Sequence, residues 1–229
     1  MERKGLNARD IAKMIDHPIL KPEMTDWDVI EQCRVARKYN VATVCVRPYD
    51  VAVCNKLLEN SEVLVSAVIG FPHGNSTTDV KVFEAIKAIE DGAVELDLVM
   101  PIGRVRSGDW DYVKEDVRAV TEACHERKVL IKVIFENAFL AHEEIIKCCQ
   151  ICEELNVDFV KTSTGFANIG ATLEHVKLMR ANCGPQVAIK ASGGIRNLDQ
   201  LLELYKAGAA RFGTSSTQNI MEEIIKESN

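Results

Sequence analysis

No run of apolar residues in this sequence approaches the roughly 20 that a membrane-spanning helix needs. The charged start Met1-Glu2-Arg3-Lys4 is followed by no apolar core, so neither a membrane anchor nor a secretory signal is expected. An excess of positive charge is also missing. The net charge is −6, which argues against a general nucleic-acid binder while leaving room for a local basic pocket. There is no G-x-G-x-x-G after the first expected strand, which argues against a dinucleotide fold. No low-complexity segment, long linker or composition break divides the 229 residues, so one domain spanning 1–229 is expected. Cysteine is not scarce. Eight of them without an export signal imply reduced thiols and a cytoplasmic setting. Cys149 and Cys152 have C-x-x-C spacing but fall inside a helical pattern with no second pair, so they are expected to pack a helix face rather than bind metal or cycle redox state.

What the sequence does have is alternation. A short helix follows Asn7, and Met14–His17 reads as a strand ending in polar groups. Thr25 with Asp28 forms a weak capping box for a helix running to about Tyr39. Strands are then expected over 42–46, 64–71, 93–100, 129–136, 158–164, 186–192 and 210–215. Helices are expected over 50–58, 77–91, 109–127, 142–155, 172–181, 198–207 and 218–226. In the helix after Thr77 the inward residues should be Val80, Phe83, Ala85 and Ile86. Most of the strands are continuous apolar runs, as expected for a parallel sheet covered by helices. Eight strand–helix units predict an α/β fold, a (β/α)8 barrel with an extra N-terminal helix; a doubly wound open sheet is the competing architecture.

In such a barrel the active site lies at the carboxyl ends of the strands, and the unusual polar residues fall there. They are Asp16 and His17 in strand 1, Asp97 in strand 4, Lys132 and Glu136 in strand 5, Lys161, Ser163 and Thr164 in strand 6, and Lys190 and Ser192 in strand 7. Alternate strand residues share a face, so Lys161 with Ser163, Lys190 with Ser192, and Glu95 with Asp97 should face the interior together. One reading is a mutually neutralising polar core. The other is chemical. An amine attacks a carbonyl only as the neutral base. Two ammonium groups about 5 Å apart at an effective dielectric near 20 repel by about 3 kcal/mol. One lysine as a cation would therefore help make the other a nucleophile. Asp97 can move the protons that imine formation requires, with Asp16 and Lys132 as candidate supporting residues. Spacing alone does not say which lysine attacks.

A second constellation suits a phosphate. Ser192-Gly193-Gly194-Ile195-Arg196 leaves strand 7 and Gly213-Thr214-Ser215-Ser216 leaves strand 8, the two places where barrels of this type commonly hold phosphate. Glycines let backbone N–H groups approach an anion, and serines add donors. Two ordinary glycine-bearing turns with helix caps would look similar.

Taken together, these stretches resemble the deoxyribose-phosphate aldolase family along essentially the whole chain. The resemblance is carried by Ile15-Asp16-His17, Leu20-Lys21-Pro22, Val68-Ile69-Gly70-Phe71-Pro72, Glu95-Leu96-Asp97, Lys161-Thr162-Ser163-Thr164-Gly165-Phe166, Lys190-Ala191-Ser192-Gly193-Gly194-Ile195-Arg196 and Gly213-Thr214-Ser215-Ser216. It implies a barrel fold, Lys161 as the Schiff-base lysine, Lys190 as the activating lysine and Asp97 as the proton shuttle. Thr164, Gly165, Gly193, Gly194, Ser215 and Ser216 would surround the sugar and its phosphate. The implied reaction is reversible cleavage of 2-deoxy-D-ribose 5-phosphate to D-glyceraldehyde 3-phosphate and acetaldehyde, with neither metal nor organic cofactor. The partners would be a small phosphorylated sugar and an aldehyde, with no nucleic acid and no membrane. A homo-oligomer, dimer or tetramer, is expected. The chain departs from the family pattern at Pro18, His73, Pro101, Asn137, Asn168-Ile169-Gly170 and Ser228-Asn229. Those departures motivate one alternative, an imine-forming aldolase for another phosphorylated sugar; a non-catalytic sugar-phosphate binder that retains the pocket is a second.

Overall fold

A computed structural model describes residues 6–228; the charged start Met1–Lys4 and Asn229 lie outside the described residues. Eight strands, β1 (Ile15–Ile19), β2 (Thr43–Val46), β3 (Leu64–Ile69), β4 (Glu95–Val99), β5 (Leu130–Ile134), β6 (Phe159–Lys161), β7 (Ala188–Ser192) and β8 (Arg211–Gly213), close in sequence order into a barrel. Every neighbouring pair is parallel, and β1 closes on β8 with Ile15 opposite Phe212 and Asp16 opposite Gly213. This is the expected (β/α)8 barrel.

Helices α1 (Ala8–Ala12), α2 (Asp26–Tyr39), α3 (Val51–Leu57), α4 (Thr78–Glu90), α5 (Ile102–Arg106), α6 (Trp110–His125), α7 (His142–Glu154), α8 (Leu173–Asn182), α9 (Leu198–Lys206) and α10 (Thr217–Ser228) accompany the strands. Their starts follow local chemistry. Asn7 with Asp10, and Thr25 with Asp28, form reciprocal capping boxes that satisfy amide donors otherwise left over at α1 and α2. The apolar core lies between strands and helices and contains Leu96, Ile131, Val133, Ile189 and Phe212 from the outward strand faces. Cys149 and Cys152 are fully buried on α7 and belong to that core. The short helix α5, opened by Pro101, and 3-10 turns at Pro48–Asp50 and Asn137–Phe139 were not expected from the pattern.

One expectation about packing is wrong. Of Val80, Phe83, Ala85 and Ile86, only Ala85 is fully buried, whereas Val80 is 52% and Phe83 72% exposed. The inward positions are Lys81, Ala85 and Ala88. Lys81 Nζ lies 2.7 Å from Asp116 Oδ2 on α6, with both side chains wholly buried, and Thr78 Oγ1 donates to Asp116 Oδ1 at 2.9 Å. Small alanines bring the helices close, and this ion pair occupies the position a hydrophobic stripe would otherwise take.

Candidate active site

The strands turn an unusual set of charges into the barrel. Asp16 comes from β1, Glu95 and Asp97 from β4, Lys132 from β5, Lys161 from β6, Lys190 from β7 and Arg211 from β8. Register sets their neighbours: Asp97 lies opposite Lys132, Lys161 opposite Lys190, and Lys190 opposite Arg211. Asp97 is the hub. Its Oδ2 accepts from Lys161 Nζ and Lys190 Nζ, each at 2.7 Å, and its Oδ1 accepts from Lys132 Nζ at 2.8 Å and Ser66 Oγ at 3.2 Å. Lys190 also contacts Asp16 Oδ2. Asp16 Oδ1 accepts from Thr43 Oγ1 at 2.8 Å and Arg211 at 2.7 Å. Glu95 closes the network from below, 2.6 Å from Lys132 and 3.1 Å from Arg211.

The surroundings of the two lysines are unequal. Three carboxylates, Asp16, Glu95 and Asp97, face four cations, Lys132, Lys161, Lys190 and Arg211. A buried set of charges is best balanced when one cation gives up its proton. Burial is the main force pulling the Lys161 amine below its ordinary range; Asp97 opposes it, and Lys190 adds a further downward push. Burial also acts on Lys190, but Asp16 and Asp97 outweigh it and hold that ammonium above its ordinary range. Lys132 is likewise held above its ordinary range by Asp97, Asp16 and Glu95 against burial. Lys161 is therefore the amine poised to lose its proton, more through burial than through the repulsion by Lys190 that strand spacing suggests. The Asp97 carboxyl is raised by burial, yet Lys132, Lys161 and Lys190 overrule that and hold it well below the usual carboxylate range. At rest it is ionised and acts as an acceptor for both amines.

Above the network lies a cavity of about 750 Å3, lined by Asp16, Lys161, Thr164, Gly165, Lys190, Gly193, Gly194, Ser215 and Ser216 among others. That size suits a small metabolite. All six residues expected around the sugar and phosphate line it, together with both lysines. Asp97 and Lys132 sit outside the lining, beneath the amines they hold. Gly193 and Gly194 both have left-handed backbone, φ +81° and +80°, and a Cβ on Gly193 would come within 3.0 Å of Gly170 Cα on the β6–α8 loop. Glycine there allows the two loops to meet beside the cavity. The Thr164 hydroxyl is already engaged: it donates to the buried Glu136 carboxylate and accepts from Phe166 N–H at 3.0 Å. Phe166 stacks edge-on against Phe71 from the β3 exit, with ring centroids 5.4 Å apart. Among the described residues no cluster of His, Cys, Asp or Glu is arranged to hold a metal ion.

Several neighbours of the network were not expected from the sequence. Arg211 completes the charge set, and its signal was available as a lone arginine opening an apolar strand. Cys45 lines the cavity, with Sγ 3.7 Å from Asp97 Oδ2, yet a cysteine in an apolar strand gives no local sign of that. Ser163 departs from the expected alternation, because β6 ends at Lys161 and the Ser163 hydroxyl donates to Thr162 Oγ1 at 3.1 Å. His17 points outward and is bound by Thr217 and Gln32 at 2.8 Å each. Of the residues that depart from the family pattern, Pro18 lines the cavity, while His73, Pro101 and Asn137 do not.

Known proteins place this architecture. Curated relatives include the deoxyribose-phosphate aldolase of Thermococcus gammatolerans, 50% identical over 93% of this chain and 96% of that protein. That of Clostridium perfringens strain 13 is 45% identical over 97% and 99%. A solved tetrameric deoxyribose phosphate aldolase from Aeropyrum pernix superimposes with a TM-score of 0.89 at 29% identity, covering 96% of this chain and 93% of that one. The DeoC/LacD family aldolase model matches residues 11–223, and the chain belongs to that family.

Proposed function

We propose that residues 1–229 act as one (β/α)8 aldolase domain. It cleaves 2-deoxy-D-ribose 5-phosphate reversibly to D-glyceraldehyde 3-phosphate and acetaldehyde through an imine on Lys161. The observation that carries this reading is the single carboxylate oxygen, Asp97 Oδ2, shared by Lys161 and Lys190. The neutral Lys161 amine adds to C1 of the open-chain sugar, and loss of water gives an iminium. The C3 hydroxyl then gives up its proton, the C2–C3 bond breaks and its electron pair passes to the iminium. Glyceraldehyde 3-phosphate leaves, the enamine takes a proton at C2, and water releases acetaldehyde and Lys161. Asp97 receives and returns protons for these steps through the amines it bridges, and Lys190 remains a cation beside the reacting carbon. Gly193, Gly194, Ser215 and Ser216 hold the phosphate, and Thr164 and Gly165 shape the wall beside it.

The reading extends to assembly and compartment. The Aeropyrum relative is tetrameric, and Val80 and Phe83, three residues apart on α4, expose an apolar face. A homo-oligomer using that face is our inference. All eight cysteines are free thiols, and no helix among the described residues is long and apolar enough to cross a membrane; both support a cytoplasmic enzyme.

Borohydride reduction in the presence of deoxyribose 5-phosphate tests the proposal. A covalent mass should appear on the peptide bearing Lys161, and Lys161→Ala should abolish both adduct and turnover. No adduct, or one on Lys190 alone, would overturn the assignment. Strong trapping with little turnover of this sugar would favour another phosphorylated substrate, with Pro18 in the cavity wall as the cause.

A further inference from the structure

Ser192 is a buried residue that lines the cavity, and its Oγ makes no hydrogen bond to any described residue. A hydroxyl at a cavity wall with no partner in the protein is free to pair with whatever the cavity binds. The backbone around it is pinned. Ser192 N–H donates to Thr162 Oγ1 at 3.1 Å, and its carbonyl accepts from Ala171 N–H at 2.9 Å. The neighbouring strand leaves room: Gly213 lies opposite Ser192 in register, and a Cβ there would fall 3.0 Å from Ser192 Oγ. The hydroxyl is thus held rigidly, unpartnered, in a space that any other residue at 213 would crowd.

Its place along the strand indicates what it meets. Lys190, two residues earlier on the same face, lies opposite Lys161. Gly193, the next residue, begins the turn assigned to the phosphate. Ser192 therefore lies between the imine end and the phosphate end of a bound chain. Resting on the aldolase reading above, the open-chain sugar carries two free hydroxyls in that interval. The one on C3 must lose its proton and falls to the charged groups at Asp97. The one on C4 takes no part in bond breaking and needs only a fixed neutral partner.

We propose that Ser192 Oγ hydrogen-bonds the C4 hydroxyl and so selects acceptor aldehydes that carry a hydroxyl beside the carbonyl. In the synthetic direction that hydroxyl belongs to C2 of glyceraldehyde 3-phosphate.

The test measures kcat/KM with acetaldehyde as donor and three acceptors: D-glyceraldehyde 3-phosphate, 3-oxopropyl phosphate (which lacks the hydroxyl) and D-glyceraldehyde. Ser192→Ala should lose about tenfold with glyceraldehyde 3-phosphate, the scale of one hydrogen bond. It should lose a similar factor with D-glyceraldehyde and stay within about twofold of wild type with 3-oxopropyl phosphate. Ser192→Cys, which keeps the shape but weakens the donor, should follow the same order if the alanine variant folds poorly. Equal losses on both phosphorylated acceptors with D-glyceraldehyde untouched would make Ser192 a phosphate ligand and overturn the proposal, as would no change on any acceptor. Absence of turnover and of a borohydride adduct in the wild type would instead overturn the aldolase reading beneath it.

Discussion

Lys161 and Lys190 stand opposite each other on β6 and β7, and each places its Nζ 2.7 Å from the same atom, Asp97 Oδ2. One carboxylate oxygen can serve two amines without forcing both to carry full charge, and the surroundings are unequal. Lys190 has a second anion in Asp16; Lys161 has none among the ion pairs of the described residues.

Replacement of Lys190 by methionine tests that inequality. In the wild type, kcat/KM should rise with pH as Lys161 sheds its proton, and the rise should lie below the ordinary lysine range because its ammonium form is disfavoured. Lys190→Met removes a like charge and leaves Asp97 freer to stabilise the Lys161 cation. Both effects raise the Lys161 pKa, so the rising limb should move to higher pH. Turnover at pH 7 should fall by about 10²-fold, because losing a like charge about 5 Å away raises the Lys161 pKa by roughly two units and leaves that much less neutral amine. A pH–rate profile that keeps its rising limb in place would contradict the role given to Lys190.

Asp116 offers a stability test away from the chemistry. Asp116→Ala leaves the Lys81 ammonium in a site with no exposure. Breaking a buried pair in this way costs about 3–5 kcal/mol, which for a chain of this size lowers Tm by roughly 10 °C. The double change Lys81→Met with Asp116→Leu should recover most of the loss, because the burden is the unpaired charge rather than the absent attraction. Differential scanning calorimetry of the three proteins decides it. A single variant that melts within two degrees or so of wild type would remove the pair from the account of stability.

The contrast between Lys81 and Lys161 also shows what the sequence could reveal. The eight apolar runs made the barrel legible, because a strand covered on both faces has little choice of composition. Lys161 and Lys190 were legible because a lysine inside such a run has to be used or paired. Lys81 was not, because a lysine on a helix ordinarily reaches solvent, and its partner lies 35 positions away. Its one local sign is that Lys81, Ala85 and Ala88 share a helix face while Val80 and Phe83 do not. Which of the two amines attacks could be named only through the family resemblance and not from spacing, for a different reason. It depends on the balance of charges from six different strands, including Arg211, and no single motif contains that balance.

The outer face of α4 supplies the third prediction. Phe83→Asp together with Val80→Asp should convert the proposed oligomer to a smaller species in multi-angle light scattering, since two charges would replace apolar surface at the proposed contact. The barrel should remain folded by far-UV circular dichroism, because neither side chain belongs to the core. A wild-type protein that already runs as a monomer, or a double variant of unchanged mass, would place the interface elsewhere or nowhere.

On the proposed imine mechanism, the set of four cations against three carboxylates has a consequence for the catalytic cycle itself. At rest, with Lys161 neutral, the network around Asp97 is balanced, three cations against Asp16, Glu95 and Asp97, while Glu136 stands apart on Thr164. An iminium on Lys161 returns one positive charge to the same point, beside the same Asp97 oxygen, and bond cleavage to the enamine takes it away again. The barrel floor thus works as a fixed electrode facing a single switchable charge. The intermediate that most needs an anion meets one already in position, and the rest of the protein need not rearrange to receive it.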